Sequence, residues 1–428
     1  MTPATRSSED ITMVEVWLDD ATLGGPALVG QLNRRPSRTG DTIDFTYAPG
    51  WLESAPPHRG FPLDPQLLLG PGAKRARAGA ASLTGAFLDC SPDRWGKVLM
   101  DRREVIAARA EDRRPRTLRH WDYLLGVNDE SRMGALRLRT PDGPYLDDDV
   151  LSAPPMTELR QLEAIARRME QGDTAADGQE AAWIRQLVAP GASLGGARPK
   201  AGARDAAGSL WMAKFPSADD RRDVGLWEYI AHRLALQAGI VMSQAMPMRL
   251  SGHGTTYAVQ RFDRTRTGQR RAYASAFTLL DVDDSEGSSY LDLVETIEHQ
   301  GVPDAIEEDL HALFRRVAFN VLVGNRDDHL RNHGFLRASG GWRLSPAFDV
   351  NPNPDKDVHV LAIGADDPTP DSRLLLEVHD FYRLPAARAR AILEEVRHAV
   401  RPWQEEARRC GARAAEVSAM VGVIDPER

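Results

Sequence analysis

Residues 308–350 read EDLHALFRRVAFNVLVGNRDDHLRNHGFLRASGGWRLSPAFDV, and the order of patterns within this stretch decides the fold. Leu310, Leu313, Phe314, Val317, Ala318, Val321 and Leu322 recur at steps of three and one, which predicts a deeply packed helix. Gly324 then stops it. A dense run of polar and ionisable residues follows at once, Gly324-Asn325-Arg326-Asp327-Asp328-His329-Leu330-Arg331-Asn332-His333. HGFLRA, a Ser339-Gly340-Gly341 turn and WRLSPAFDV then predict a hairpin running up to Asp349. A loop anchored by a buried helix is where reactive side chains are held in place. A polar turn whose Asp and Asn side chains cap backbone groups is the plain alternative.

The set of residues in this order points to phosphoryl transfer. That reaction needs an acid to orient and accept the proton of an attacking hydroxyl, together with oxygen ligands for Mg²⁺. Asp327 fits the base. Asn332, five residues on, and Asp349, past the hairpin, fit the metal ligands. Protein kinases space a base and an asparagine by the same interval and place a metal-binding aspartate after a short hairpin. His329 either fixes the loop's shape through a backbone hydrogen bond, the favoured reading, or binds a metal or acts as a base.

A second constellation lies upstream. Ser193-Leu194-Gly195-Gly196-Ala197-Arg198-Pro199-Lys200 is rich in small residues whose backbone N–H groups can approach phosphates. It matches neither GxGxxG nor the Walker pattern, and a plain turn is the alternative reading. The predicted strand LWMAKFP (210–216) follows, with Lys214 among apolar neighbours. The predicted helix 223–239 carries Glu228 on the same stripe as Val224, Ala231 and Ala235. A carboxylate on a buried face needs a paired charge, so Lys214 and Glu228 are expected to meet as a phosphate-positioning pair. Exposure of both in solvent is the competing reading. Arg261-Phe262-Asp263-Arg264 ends the predicted strand TYAVQRFDR (256–264), as a salt-bridged hinge or, in the alternative reading, as a direct nucleotide contact.

Working outward, MVEVWLD (13–19), 27–34 and 42–50 alternate as strands of a small N-terminal sheet. Helices are predicted over 93–110, 118–127 and 157–172, and a strand over 134–140. The expected organisation is an N-terminal subdomain over 1–155, a small mixed β lobe with the Gly-rich loop over 156–265, and a mostly helical lobe over 266–428. The fold class is α/β (α+β).

Composition narrows the function. The net charge is −8, which argues against unaided binding to nucleic acid. The two cysteines, Cys90 and Cys410, form no CxxC or Cys/His cluster, which disfavours a zinc site or a disulfide framework. No signal peptide or membrane span is legible, and a cytoplasmic protein is expected. Only five of the 54 basic residues are lysines: Lys74, Lys97, Lys200, Lys214 and Lys356. One reading is that lysine marks positions where a compact ammonium, rather than a planar guanidinium, is wanted; the plain alternative is that the gene's base composition leaves a few lysines anywhere.

At SLGGARPKA, AKFP, QRFDR, GNRDDHLRNH and SPAFDV the chain resembles the HipA family of toxin kinases, and FLDCSPDRWG (87–96) looks like that family's N-terminal subdomain. The resemblance implies a two-lobed, protein-kinase-like fold with an extra N-terminal subdomain. It implies a serine/threonine kinase using ATP and Mg²⁺, with Asp327 catalytic and Asn332 and Asp349 on the metal. Lys214, Glu228, Ser193, Gly195, Gly196, Ala197, Lys200 and His329 would lie around the nucleotide, and Ser193 holds the position of an autophosphorylated serine. The family also implies a helix-turn-helix antitoxin of the HipB type, contact with DNA only through it, and an aminoacyl-tRNA synthetase as substrate. A small-molecule phosphotransferase and a non-catalytic co-repressor scaffold are the alternatives.

Overall fold

The computed structural model describes residues 10–38, 40–54, 59–77, 82–146, 153–172, 187 and 198–428. They fall into two compact units, residues 1–213 with 263–274 and residues 214–262 with 275–428.

The first unit is organised on an antiparallel sheet of β1 (Met13–Leu18), β2 (Ala27–Pro36), β3 (Asp41–Tyr47) and β4 (Leu136–Arg139), in the order β3–β2–β1–β4. Alternate residues of β1 face the core, so Val14, Val16 and Leu18 are buried and their neighbours are not. Phe45, Tyr47, Trp51, Phe87 and Trp121 fill the space beneath, each burial contributing roughly 1.5–3 kcal/mol. Strand β3 stops at Tyr47, short of the predicted Gly50, because Pro49 opens a helical turn whose first position tolerates a missing N–H. Arg132 is wholly buried and donates to the carbonyls of Cys90, Leu124 and Val127. It thereby satisfies three backbone acceptors that water cannot reach. The predicted 93–110 helix runs Arg94–Ala110, capped by the Asp93 side chain on the Gly96 N–H.

The second unit holds the predicted helix as Val224–Gln237, capped by Asp223, and the antiparallel pair Ala245–Met248 with Thr256–Gln260. From Tyr290 onward it is mostly helical. The central element is Ile306–Val323, which buries Leu310, Leu313, Phe314, Val317, Val321 and Leu322 as its periodicity predicts. It packs against the helices Tyr290–Gln300 and Ala386–Val400. Gly324 ends it at φ +69°, with Asn325 N–H returning to the Asn320 carbonyl. Two constraints coincide there. The left-handed backbone disfavours a side chain, and a Cβ would lie 2.5 Å from the Val423 carbonyl oxygen. The chain then turns through the polar loop into the hairpin Gly334–Ala338 and Gly341–Leu344, whose register sets Ala338 opposite Gly341. No helix among the described residues is long and apolar enough to cross a membrane.

Candidate active site

The second unit brings Lys214, Glu228 and Asp349 together. The Lys214 ammonium lies 2.6 Å from Glu228 Oε1 and 2.5 Å from Asp349 Oδ1. Lys214 and Glu228 are both buried, so the inward-facing reading of the helical stripe holds. Burial works against the charge on Lys214, but the carboxylates of Asp349 and then Glu228 outweigh it and hold the ammonium above the ordinary lysine pKa. The lysine is therefore a fixed cation, and the Tyr257 ring centroid lies 5.9 Å away. Asp349 itself adopts φ +58°, a left-handed conformation that Asp tolerates better than most residues and that tends to mark functional positions.

The segment following Asp349 is bonded to the loop that follows Gly324. Asn351 N–H donates to Asn325 Oδ1 at 3.1 Å, Asn353 N–H donates to the Gly324 carbonyl at 2.9 Å, and Arg326 Nη1 donates to the Lys356 carbonyl at 2.6 Å. These bonds carry the constellation from Lys214 through Asp349 to the loop bearing Asp327 and Asn332. The Asp327 side chain is 57% exposed and forms an ion pair with Lys356. Asn332 is buried in a short 3₁₀ turn, Leu330–Asn332, with its Nδ2 reaching the Asp327 carbonyl at 3.5 Å. Its Oδ1 is buried and has no partner among the described residues. An orphaned amide oxygen near the turn of an acidic loop is a donor that a hard cation would satisfy. The side-chain oxygens of Asn332 and Asp349 are of the kind that a hard cation accepts. Among the described residues no three His, Cys, Asp or Glu side chains group as a metal cage.

Residues 192–403 match the family described as HipA-like C-terminal domain. This stretch is a HipA-like C-terminal domain. Among solved structures it is similar to a chain of the Shewanella oneidensis MR-1 toxin–antitoxin complex of HipA, HipB and operator DNA. The identity is 16%, the TM-score 0.61, and the match covers 96% of this chain and 95% of that one. A likeness to the Helicobacter pylori proinflammatory kinase CtkA has 14% identity and a TM-score of 0.39, covering 53% of this chain and 88% of that one. No curated protein sequence matches. At such identity the Shewanella likeness is one of fold, and the two-lobed, protein-kinase-like α/β architecture expected from the sequence is the fold of this chain.

Within the HipA-like domain, one residue of the polar loop escaped the sequence reading as a site residue. Asp328 is buried and accepts hydrogen bonds from Tyr290 Oη (2.6 Å), Asn320 Nδ2 (2.8 Å) and His333 Nε2 (2.8 Å). Burial alone would raise its carboxyl pKa. The His333 imidazole and the Tyr290 hydroxyl outweigh burial and hold it below the ordinary carboxylate value. Two adjacent aspartates therefore diverge: Asp328 turns inward and fixes the loop, and Asp327 turns outward. Asn320 was the available signal, since a polar side chain on an apolar helical stripe calls for a buried partner. His333, unassigned from sequence, is that carboxylate's imidazole partner. His329 is half-buried, with its Nδ1 lacking a partner among the described residues.

His359 is buried in the same unit, and burial first of all, with Arg326 and Arg428 assisting against the pull of Asp328, lowers its imidazole pKa to about 4. Its folded value lies below the unfolded value near 6.5, so the unfolded chain takes the proton first. The stability contributed is complete above pH ~6.5 and drains away as pH falls towards 4, by on the order of 3 kcal/mol. Denaturant unfolding of wild type and His359→Leu at pH 7 and 4.5 checks this: the variant is expected to lose less stability over that interval, and equal losses would refute it.

Ser193, Gly195, Gly196 and Ala197 lie outside the described residues. Lys200, expected near the nucleotide, opens the strand Lys200–Arg204 of the first unit. It is buried there, paired with the Asp93 carboxylate that caps the helix Arg94–Ala110, and its carbonyl accepts from Trp95 Nε1 at 3.1 Å. In the first unit Arg264 pairs with Asp263 at 2.7 Å, and Asp263 Oδ2 also accepts from Gly134 N–H at 2.8 Å.

Proposed function

We propose that this protein is an ATP-dependent serine/threonine protein kinase acting as the toxin of a toxin–antitoxin pair. The observation that carries the reading is the double engagement of buried Lys214 by Glu228 and Asp349, on a segment hydrogen-bonded to the loop of Asp327 and Asn332. A buried ammonium held by a helix carboxylate and by a second, displaceable carboxylate is suited to gripping the non-transferred phosphates of ATP. Asp327 orients the substrate hydroxyl and takes its proton. The hydroxyl oxygen bonds to the terminal phosphorus, the bond to the bridging oxygen breaks, and ADP leaves with that electron pair. Mg²⁺, held by Asn332 and Asp349, would supply neutralising charge on the phosphates.

The partner reading rests on similarity to a chain from a complex of HipA, HipB and operator DNA. A helix-turn-helix antitoxin would bring this acidic protein to DNA, which a net charge of −8 disfavours it from binding alone. By family resemblance the acceptor is an aminoacyl-tRNA synthetase, and Ser193 is an autophosphorylation site whose phosphate would add nearly two negative charges to the Gly-rich loop.

The test is incubation of the purified protein with labelled ATP and a cell extract. Label is expected in protein, on serine or threonine, and Lys214→Met is expected to abolish it while weakening ATP binding roughly tenfold, the cost of a charge-assisted contact. Label confined to small molecules would favour a small-molecule phosphotransferase. An absence of label from every wild-type reaction would leave a non-catalytic scaffold.

A further inference from the structure

Lys356 is one of five lysines in a chain whose other basic residues are arginines, and its ammonium pairs with the carboxylate of Asp327. Its backbone is not free to wander. The Lys356 carbonyl accepts from Arg326 Nη1 at 2.6 Å, the preceding Asp355 pairs with Arg222 at 2.8 Å, and Asn353 Oδ1 accepts the Asp355 N–H at 2.8 Å. With Asn353 N–H on the Gly324 carbonyl, the segment is bonded along its length to the start of the loop that carries Asp327. The side chain, by contrast, is 41% exposed, so the ammonium keeps the freedom to take a second partner.

We propose that Lys356 is a catalytic residue that contacts the phosphoryl group in transit, bridging it to Asp327. This rests on the kinase reading given above. If Asp327 holds the attacking hydroxyl, the phosphorus accepting that oxygen passes within a few ångströms of the Asp327 carboxylate, and so within reach of Lys356. Negative charge on the equatorial phosphoryl oxygens then meets an ammonium already in place, which costs little reorganisation. The residue type fits the task. An ammonium has three donors that point apart, so it can hold Asp327 with one and a phosphoryl oxygen with another. A guanidinium would pair with the carboxylate through both arms of its planar fork and occupy both oxygens. The base would then be blocked by the group meant to assist it. In a protein where arginine is the habitual cation, lysine at this position is explained by that difference.

The experiment compares wild type, K356M and K356R in steady-state phosphoryl transfer, with ATP dissociation constants and thermal midpoints measured on the same preparations. K356M is expected to lower kcat roughly 10- to 100-fold, below the cost of losing a fully buried oxyanion donor because Lys356 is partly exposed. The ATP dissociation constant and the thermal midpoint should stay at their wild-type values. K356R should recover only a minor part of the loss despite keeping the charge. A K356M enzyme as fast as wild type, or faster, overturns the proposal, as does full rescue by K356R or a fall in kcat matched by loss of ATP affinity. The two readings fail separately: an inactive wild type sinks the kinase assignment and this role with it, and an active wild type matched by K356M sinks only the role of Lys356.

Discussion

Asp327→Asn is expected to lower phosphoryl transfer by roughly 10²- to 10⁴-fold, the range that a positioned general base supplies, while leaving ATP binding and thermal stability almost untouched. The amide is nearly isosteric with the carboxylate but cannot accept the hydroxyl proton. The divergence of the two adjacent aspartates makes this a clean experiment. The buried bonds that shape the loop end on Asp328, and Asp327 makes a half-exposed pair with Lys356. Surface ion pairs of that kind are worth at most about 1 kcal/mol, so the variant should fold. Rapid-quench measurement of the transfer step, beside isothermal titration with ATP and a thermal melt, separates chemistry from binding and folding. A transfer rate within threefold of wild type would remove Asp327 from the mechanism.

The parts legible in the sequence were those that periodicity can express. The stripe ending at Val323, the glycine that stops it and the hairpin after the polar run are local patterns, and each has its physical cause within a few residues. The Lys214–Glu228 pair was legible for a related reason: a glutamate on a buried helical stripe must find a cation, and a lysine stood on the preceding strand. Partners brought together by the turn after Asp349 were not legible. Nothing in PNPDKD announces that Lys356 reaches Asp327, because that contact depends on the left-handed turn at Asp349 and on Asn325 and Gly324 receiving the segment. The partner of Lys200 was hidden for the same reason. Asp93 precedes it by 107 positions, and its sequence role as a helix cap gives no hint of a second bond to an ammonium. Asp328 is the telling case. It was in plain view inside the motif, yet its inward direction is set by Tyr290 and Asn320, and no spacing rule predicts that a tyrosine 38 residues away will close on it.

Removing that carboxylate should severely destabilise the second unit. Asp328→Ala leaves a tyrosine hydroxyl, an asparagine amide and an imidazole nitrogen buried with their common acceptor gone, and breaking a buried charged network in this way costs about 3–5 kcal/mol. The loop would lose its inner anchor, so phosphoryl transfer should fall even in the fraction that remains folded, although the alanine touches no reacting atom. Asp328→Asn refines the expectation. It keeps the shape and one acceptor but lacks the charge that favours His333. Because the folded carboxyl is held below its ordinary value, its contribution is complete above the unfolded pKa of about 4 and is lost as pH falls through the lower folded value. The stability gap between wild type and Asp328→Asn should therefore be wide at pH 7 and narrow as the solution is acidified past pH 4. Denaturant unfolding followed across that range measures the gap directly. An Asp328→Ala protein within 1 kcal/mol of wild type at pH 7, on the scale of a surface substitution, would mean that the loop is held by something other than this carboxylate.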